Sequence, residues 1–156
     1  MSANLDSKAP DFELQDTSGE NVRLSDFHGK KNIVLLFLPL AFSSVCTEEL
    51  CTTRDNLKLY SSMDAKVMGI SVDSFFTLKE FKKSQNLNFT LLSDFNKEVS
   101  SRYDALYDDY FGMKGVAKRA SFVIDKEGVI KYREILEDSA ELPDFKALQQ
   151  LLRSLN

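Results

Sequence analysis

The fold class follows from residues 32–55, which read NIVLLFLPLAFSSVCTEELCTTRD and contain both cysteines of the chain. The segment Asn32–Leu38 is continuously apolar after its first residue, which is typical of a β-strand buried on both faces of a sheet. Proline at position 39 ends that run, and the pattern that follows predicts a helix over residues 44–63. A buried strand followed at once by a helix indicates an α/β fold.

The other predicted strands lie on both sides of this stretch. Near the N-terminus, two short segments flank the turn sequence Thr17-Ser18-Gly19, which predicts a β-hairpin. Near the C-terminus, a loop containing Gly128 predicts a second hairpin. The predicted strands are Asp11–Asp16, Val22–Leu24, Asn32–Leu38, Lys66–Val72, Ser121–Ile124 and Val129–Glu134.

Three further helices are predicted, over residues 74–85, 96–103 and 143–155. Asp73 or Ser74 is expected to cap the first of them, and the last begins with a proline. Strands and helices in this order predict an α/β sandwich with a mixed central sheet and an N-terminal β-hairpin.

Composition and charge exclude several classes of partner. Hydrophobic residues make up 43% of the 156-residue chain, and the net charge is only −4, with scattered basic residues. This argues against nucleic acid or an anionic membrane as the main partner. The sequence shows no signal segment and no apolar run long enough to span a bilayer, so we expect one cytoplasmic domain over residues 4–155. In the cytoplasm a cysteine pair is more often catalytic or metal-binding than a structural disulfide.

The two cysteines lie on different faces of the predicted helix. On a helical wheel at about 100° per residue, Cys46 shares the core-facing stripe of Leu50 and Tyr60, whereas Cys51 lies about 140° away on the polar side. Residues i and i+5 of an intact helix have Cα atoms roughly 8.6 Å apart. A disulfide needs less than about 7 Å. The pair can therefore bond only if the first turn unwinds, which suits a reaction cycle better than a structural link.

The helix start favours an ionised thiol at Cys46 but is not sufficient. Ser43 or Ser44 is expected to cap the helix and to leave Cys46 in its first turn. A free thiol with a pKa of about 8.5 needs about 3.4 kcal/mol of stabilisation to reach a pKa of about 6. A helix N-terminus supplies about 0.3–1 kcal/mol, and up to ~2 kcal/mol when partly buried. A nearby cation is required, and arginine is expected because it stays charged when half-buried.

The motif Pro39-x-x-x-Ser43-x-x-Cys46 resembles the signature of the peroxiredoxin superfamily, Pro-x-x-x-Thr/Ser-x-x-Cys. Residues 39–42 (PLAF) are similar to the alkyl hydroperoxide reductase E branch. Residues 46–55, with Cys46-Thr-x-Glu49-x-Cys51 and then Arg-Asp, are similar to the peroxiredoxin Q (bacterioferritin comigratory protein) branch. The resemblance covers most of the chain, including Ala9–Phe12, Gly69–Asp73, Leu91–Asp94 and Arg119–Asp125.

The resemblance implies a thioredoxin-like fold and a thiol peroxidase that needs no metal, haem or nucleotide. It implies that the Cys46 thiolate attacks a peroxide and becomes a sulfenic acid. Arg119, Ser43 and the Cys46 amide would hold the peroxide oxygens, while Pro39 would shield the sulfur. Glu49 would orient Arg119. Cys51 would then form a 46–51 disulfide that a thioredoxin-like protein or a small thiol reduces.

The same residues allow other interpretations. A zinc site from Cys46, Cys51 and His28 would lack a fourth ligand and the usual close cysteine spacing. A thioredoxin-type oxidoreductase would carry Cys-x-x-Cys. Taken one at a time, Pro39 and Arg119 also have structural explanations, as the end of a strand and as a surface charge. A one-cysteine peroxidase with an incidental Cys51 and a peroxide-driven redox sensor stay open, as do the preferred peroxide and the choice between monomer and homodimer.

Overall fold

The computed structural model describes residues 3–156 and arranges that part of the chain around one central sheet. The strands are β1 (Glu13–Asp16), β2 (Asn21–Arg23), β3 (Asn32–Phe37), β4 (Ala65–Ser71), β5 (Thr90–Ser93), β6 (Arg119–Ile124) and β7 (Ile130–Leu136). The helices are α1 (Ser44–Asp55), α2 (Leu57–Ser62), α3 (Phe75–Ser84), α4 (Glu98–Arg102) and α5 (Phe145–Ser154), and a 3-10 helix spans Leu24–Phe27.

The sheet is mixed, with the strand order β2-β1-β5-β4-β3-β6-β7. The central strands β3, β4 and β5 run parallel, whereas β1 with β2, β1 with β5, β3 with β6, and β6 with β7 are antiparallel pairs. The α/β sandwich, its mixed sheet and its N-terminal hairpin are therefore confirmed.

The helices cover the two faces of the sheet. One face packs against α1, α2, α3 and α5 through residues such as Leu50, Phe81 and Leu148. The other face packs against the 3-10 helix and α4 through residues such as Leu24 and Val99. Because both faces are covered, all six residues of β3 are buried, as its apolar sequence predicts.

The predicted helix over residues 44–63 is wrong in one respect, because the chain forms two helices there. Asn56 separates α1 from α2 with φ −110° and ψ 13°. Its side-chain Nδ2 donates to the carbonyl oxygen of Thr52 at 2.8 Å, and its own N–H turns to the Thr53 carbonyl. Asparagine competes with the helix for backbone hydrogen bonds in this way.

Other element boundaries differ by smaller amounts. The helix predicted over 96–103 begins only at Glu98, because Lys97 has a left-handed backbone with φ 65°. Ser74 caps α3 as expected and accepts a hydrogen bond from the N–H of Thr77. The last helix is capped by Asp144 rather than begun by a proline. The short strand β5 was not predicted.

No helix within residues 3–156 combines the length and the apolar character that a membrane crossing needs.

Candidate active site

The loop that leads from β3 into α1 is fixed by contacts to its neighbours. Pro39 is buried just beyond the end of β3. The backbone N–H of Ala41 donates to Oδ2 of Asp73 at 2.7 Å, and Asp73 lies two residues beyond the end of the adjacent strand β4. Phe42 adopts φ 69°, and its ring packs 4.9 Å from that of Phe81 on α3. The first turn of α1 therefore starts from a well-anchored loop.

Ser43 is the N-cap residue of α1, but its side chain makes no capping bond. Its carbonyl accepts from the N–H of Thr47 at 2.9 Å, while its Oγ donates to the Leu40 carbonyl at 2.8 Å. The predicted side-chain cap is therefore absent at Ser43. Helix geometry leaves the amide of Cys46, at the third helical position, without an intrahelical acceptor.

Cys46 and Arg119 are in direct contact beneath the surface. Cys46 is 0% exposed and Arg119 is 1% exposed. Nη1 and Nη2 of Arg119 lie 3.4 and 3.3 Å from Cys46 Sγ. Arg119 is the first residue of β6, and Val123 on the same strand packs into the cluster that contains Cys46, so alternation along the strand points both side chains to α1.

The guanidinium of Arg119 uses all five of its N–H donors. Nη1 also donates to Oε1 of Glu49 at 2.6 Å. Nε and Nη2 donate to the carbonyl oxygen of Ser139 at 3.3 and 2.9 Å. An arginine carries five such hydrogens in a rigid plane, so its orientation at the sulfur is fully determined.

Glu49 lies one turn beyond Cys46 and is 0% exposed. Its Oε2 is buried with no hydrogen-bond partner among residues 3–156. Burial raises the pKa of Glu49 to about 7, against the opposing pull of Arg119. Burial by itself lowers the pKa of Arg119. The attraction and hydrogen bonds of Glu49 and Cys46 outweigh this effect, so the net shift of the pKa is upward. Desolvation thus dominates at the carboxyl, whereas attraction dominates at the guanidinium, which stays charged.

The carbonyl of Ser139 was missed by the sequence analysis. It lies in the segment that follows β7, twenty residues from Arg119. Ser139 Oγ lies 2.9 Å from the hydroxyl of Tyr110, whose ring stacks on that of Tyr107 at 4.9 Å. The Tyr107 hydroxyl donates to the carbonyl of Glu137 at 2.7 Å. In the sequence, only the group of aromatic residues near Tyr110 could have indicated the contacts that hold the segment around Ser139.

Cys51 is half-buried rather than turned to solvent as the helical wheel predicted. Its Sγ lies 3.6 Å from Oε1 of Gln85, the residue that directly follows α3. Both cysteines are free thiols within an intact α1. The wheel failed here because it contains no information about a neighbouring helix.

The arrangement suits nucleophilic chemistry at sulfur. A buried thiol lies in the first turn of a helix and receives two N–H bonds from a guanidinium. No cluster of three or more His, Cys, Asp or Glu side chains that could hold a metal ion occurs among residues 3–156.

Comparisons with known proteins point to the same chemistry. The profile of the AhpC/TSA family matches residues 5–133. The chloroplastic 2-cysteine peroxiredoxin of Chattonella marina var. antiqua is 39% identical over 145 residues, covering 86% of this chain and 72% of that protein. The alkyl hydroperoxide reductase E of Mycobacterium bovis is 34% identical over 154 residues, covering 97% of both chains. The crystal structure of peroxidoxin BcpB from Mycobacterium tuberculosis matches with a TM-score of 0.87 and 28% identity over 97% of both chains.

These relatives and this thioredoxin-like fold define a peroxiredoxin, an enzyme that reduces peroxides with a cysteine thiol. The chain belongs to the AhpC/TSA family.

Proposed function

We propose that Cys46 reduces a hydroperoxide and that Cys51 then forms a disulfide with it. The observation that best supports this proposal is the pair of N–H bonds from Arg119 to Cys46 Sγ, at 3.3 and 3.4 Å. A guanidinium at this distance favours the thiolate, which is the nucleophilic form of cysteine. The first turn of α1 adds the positive end of the helix dipole.

In the first step, the Cys46 thiolate attacks the terminal oxygen of the hydroperoxide. An S–O bond forms while the O–O bond breaks, and the electron pair leaves on the second oxygen. That oxygen takes up a proton and departs as an alcohol, or as water when the substrate is hydrogen peroxide. Cys46 is oxidised to a sulfenic acid. Arg119 and the Cys46 amide stabilise the charge that moves onto the leaving oxygen.

The hydrogen bonds already present determine how a peroxide fits. The two N–H groups of Arg119 that point to the sulfur are the ones that a peroxide oxygen can share, since the others hold Glu49 and Ser139. The hydroxyl hydrogen of Ser43 is engaged by the Leu40 carbonyl, so the Oγ lone pairs are left to accept the peroxide O–H.

Access to the sulfur requires a local movement, because Cys46 has 0% exposure. Pro39 is buried beyond β3 and would help to keep water from the sulfenic acid. The peroxide would thus enter a site that is closed in the resting enzyme.

In the second step, the Cys51 thiolate attacks the sulfur of Cys46. An S–S bond forms, the S–O bond breaks, and hydroxide leaves as water after taking up a proton. The Cα separation of roughly 8.6 Å in an intact helix must first shorten to less than about 7 Å, so the start of α1 unwinds. A thioredoxin-like dithiol or a small thiol then reduces the disulfide and restores both cysteines.

The names of the relatives support this cycle. One is called a 2-cysteine peroxiredoxin, which favours a two-cysteine cycle, and another an alkyl hydroperoxide reductase, which favours alkyl hydroperoxides beside hydrogen peroxide. The electrons come from thiols, so the cycle requires no cofactor. We place it in one cytoplasmic domain, residues 4–155, acting as a monomer or a homodimer.

Rapid-mixing measurements of peroxide consumption test the proposal. Reduced protein should consume one equivalent of hydrogen peroxide quickly, and Cys46→Ser should abolish this phase. Cys51→Ser should keep the first turnover but slow recycling by thioredoxin. If Cys46→Ser consumes peroxide at the wild-type rate, the proposal fails. If Cys51→Ser recycles as fast as the wild type, a one-cysteine cycle replaces the two-cysteine cycle.

A further inference from the structure

Cys51 is held by a residue from another helix. Its thiol donates a weak hydrogen bond to the side-chain oxygen of Gln85, 34 residues further along the chain. The two side chains are half-buried. The contact exists because α1 and α3 pack side by side on the same face of the sheet, as their shared core residues Leu50 and Phe81 indicate.

The backbone of Gln85 is fixed on two sides. Nη1 of Arg54 donates to the Gln85 carbonyl at 2.6 Å. The N–H of Gln85 bonds to the carbonyl of Phe81 in the last turn of α3. The acceptor that Cys51 meets is therefore attached to an anchored main chain.

These contacts divide α1 into two parts. Cys51 must leave Gln85 before its sulfur can approach Cys46, because the two cysteines cannot bond in an intact helix. Arg54 lies beyond Cys51, so its bond to the Gln85 carbonyl can persist while the first turns unwind. Unwinding thus breaks the thiol contact and can stop at Arg54.

We propose that Gln85 is a positioning residue for the resolving step, which holds Cys51 away from Cys46 and so sets the lifetime of the sulfenic acid. This inference rests on the proposed function, in which Cys51 closes a disulfide with Cys46. Within residues 3–156, the hydrogen bonds of Gln85 go to Cys51, to Arg54 and to carbonyls of α3, and not to Cys46 or Arg119. The reaction of Cys46 with peroxide is therefore expected to be independent of Gln85.

The lifetime of the sulfenic acid decides between two products. Attack by Cys51 gives the disulfide and water. A second molecule of hydrogen peroxide instead transfers one oxygen to the Cys46 sulfur, which gives a sulfinic acid and water and removes the enzyme from the cycle. By delaying Cys51, Gln85 raises the fraction of sulfinic acid that forms at high peroxide.

Two substitutions at position 85 are expected to act in opposite directions. Gln85→Leu keeps the size of the side chain but removes the acceptor, so disulfide formation should become about two- to tenfold faster, as for one lost hydrogen bond. Gln85→Glu keeps an acceptor and adds a negative charge that disfavours the attacking thiolate of Cys51. Its disulfide should therefore form no faster than in the wild type. Mere damage to the packing would accelerate unwinding in both variants.

The experiment is a rapid-quench time course with one equivalent of hydrogen peroxide, which gives the rates of the two steps, and a second series with a large excess of peroxide, which gives the sulfinic fraction. Mass spectrometry separates the sulfenic, disulfide and sulfinic forms. Gln149→Leu is the matched control, because Gln149 is also half-buried but bonds Tyr60 instead of Cys51. We expect an unchanged first step in all variants, and a faster second step with less sulfinic acid in Gln85→Leu alone.

The outcomes separate this inference from the proposed function. If the wild type forms the disulfide and Gln85→Leu forms it at the same rate, or if both Gln85 variants accelerate it, the role of Gln85 is refuted while the two-cysteine cycle stands. If the wild type forms sulfenic acid but never a 46–51 disulfide, the resolving role of Cys51 fails, and the role of Gln85 fails with it.

Discussion

Replacing Arg119 by lysine keeps the positive charge but removes the geometry on which the site depends. The guanidinium donates twice to Cys46 Sγ, once to Glu49 and twice to the Ser139 carbonyl. A lysine ammonium has three donors on a single nitrogen. It cannot donate twice to the sulfur and still satisfy both Glu49 and Ser139.

The size of the expected effect follows from the lost donor. The two N–H groups at the sulfur are those that the peroxide oxygens share in the transition state. Losing one hydrogen bond of a charged group removes about 1.5–3 kcal/mol. At about 1.36 kcal/mol per factor of ten, the second-order rate constant with hydrogen peroxide should fall roughly 10- to 150-fold.

Competition for hydrogen peroxide against a haem peroxidase of known rate measures this constant. Circular dichroism must first show that Arg119→Lys is folded. Arg133→Lys serves as the control, because Arg133 is an exposed arginine of the neighbouring strand β7 that bonds the Ala3 carbonyl. We expect the control to react at the wild-type rate. An Arg119→Lys enzyme as fast as the wild type would refute the idea that the planar fork of donors, rather than charge alone, drives the reaction.

Three further predictions concern the surroundings of the site. The pKa of Glu49 is raised from its ordinary 4.5 to about 7, so the folded state holds the proton more tightly than the unfolded state does. The free energy of unfolding should therefore fall by up to about 3 kcal/mol as the pH rises from 4.5 to about 7. Urea unfolding at pH 5 and pH 7.5 should show this loss in the wild type but not in Glu49→Gln. An equal change of the unfolding free energy with pH in both proteins would contradict this prediction. Tyr110→Phe removes the hydroxyl contact to Ser139 and should slow the first step about two- to tenfold, measured in the same competition assay. Ser74→Ala removes the cap of α3 and should lower the melting temperature by about 2–4 °C without changing peroxide consumption, whereas an unchanged melting curve would contradict the cap.

The sequence predicted those parts of the structure that depend on local pattern. The continuous apolar run of β3, the hairpin near Gly19 and the cap at Ser74 were all recognisable, because each depends on residues close together in the chain. The need for a cation beside Cys46 followed from the energy of ionising a thiol, and Arg119 is found in contact with that sulfur.

The remaining features depend on contacts between distant segments. Gln85 meets Cys51 across 34 residues, and the Ser139 carbonyl meets Arg119 across 20 residues, so neither contact leaves a periodic signal. The break at Asn56 depends on one side chain competing for a backbone carbonyl, which a helical wheel ignores. The catalytic roles of Cys46, Cys51, Arg119, Ser43, Pro39 and Glu49 stay predictions that the proposed experiments test.

The most direct test of the central claim is to identify the first sulfur that peroxide oxidises. Reduced wild-type protein is mixed with one equivalent of hydrogen peroxide in the presence of a sulfenic-acid trapping reagent, quenched at the earliest accessible time, and digested for peptide mass spectrometry. We expect the trapped sulfenic acid on Cys46, and at later times we expect the untrapped protein to have lost two hydrogens in a 46–51 bridge. Trapping on Cys51 while Cys46 stays a free thiol would contradict it.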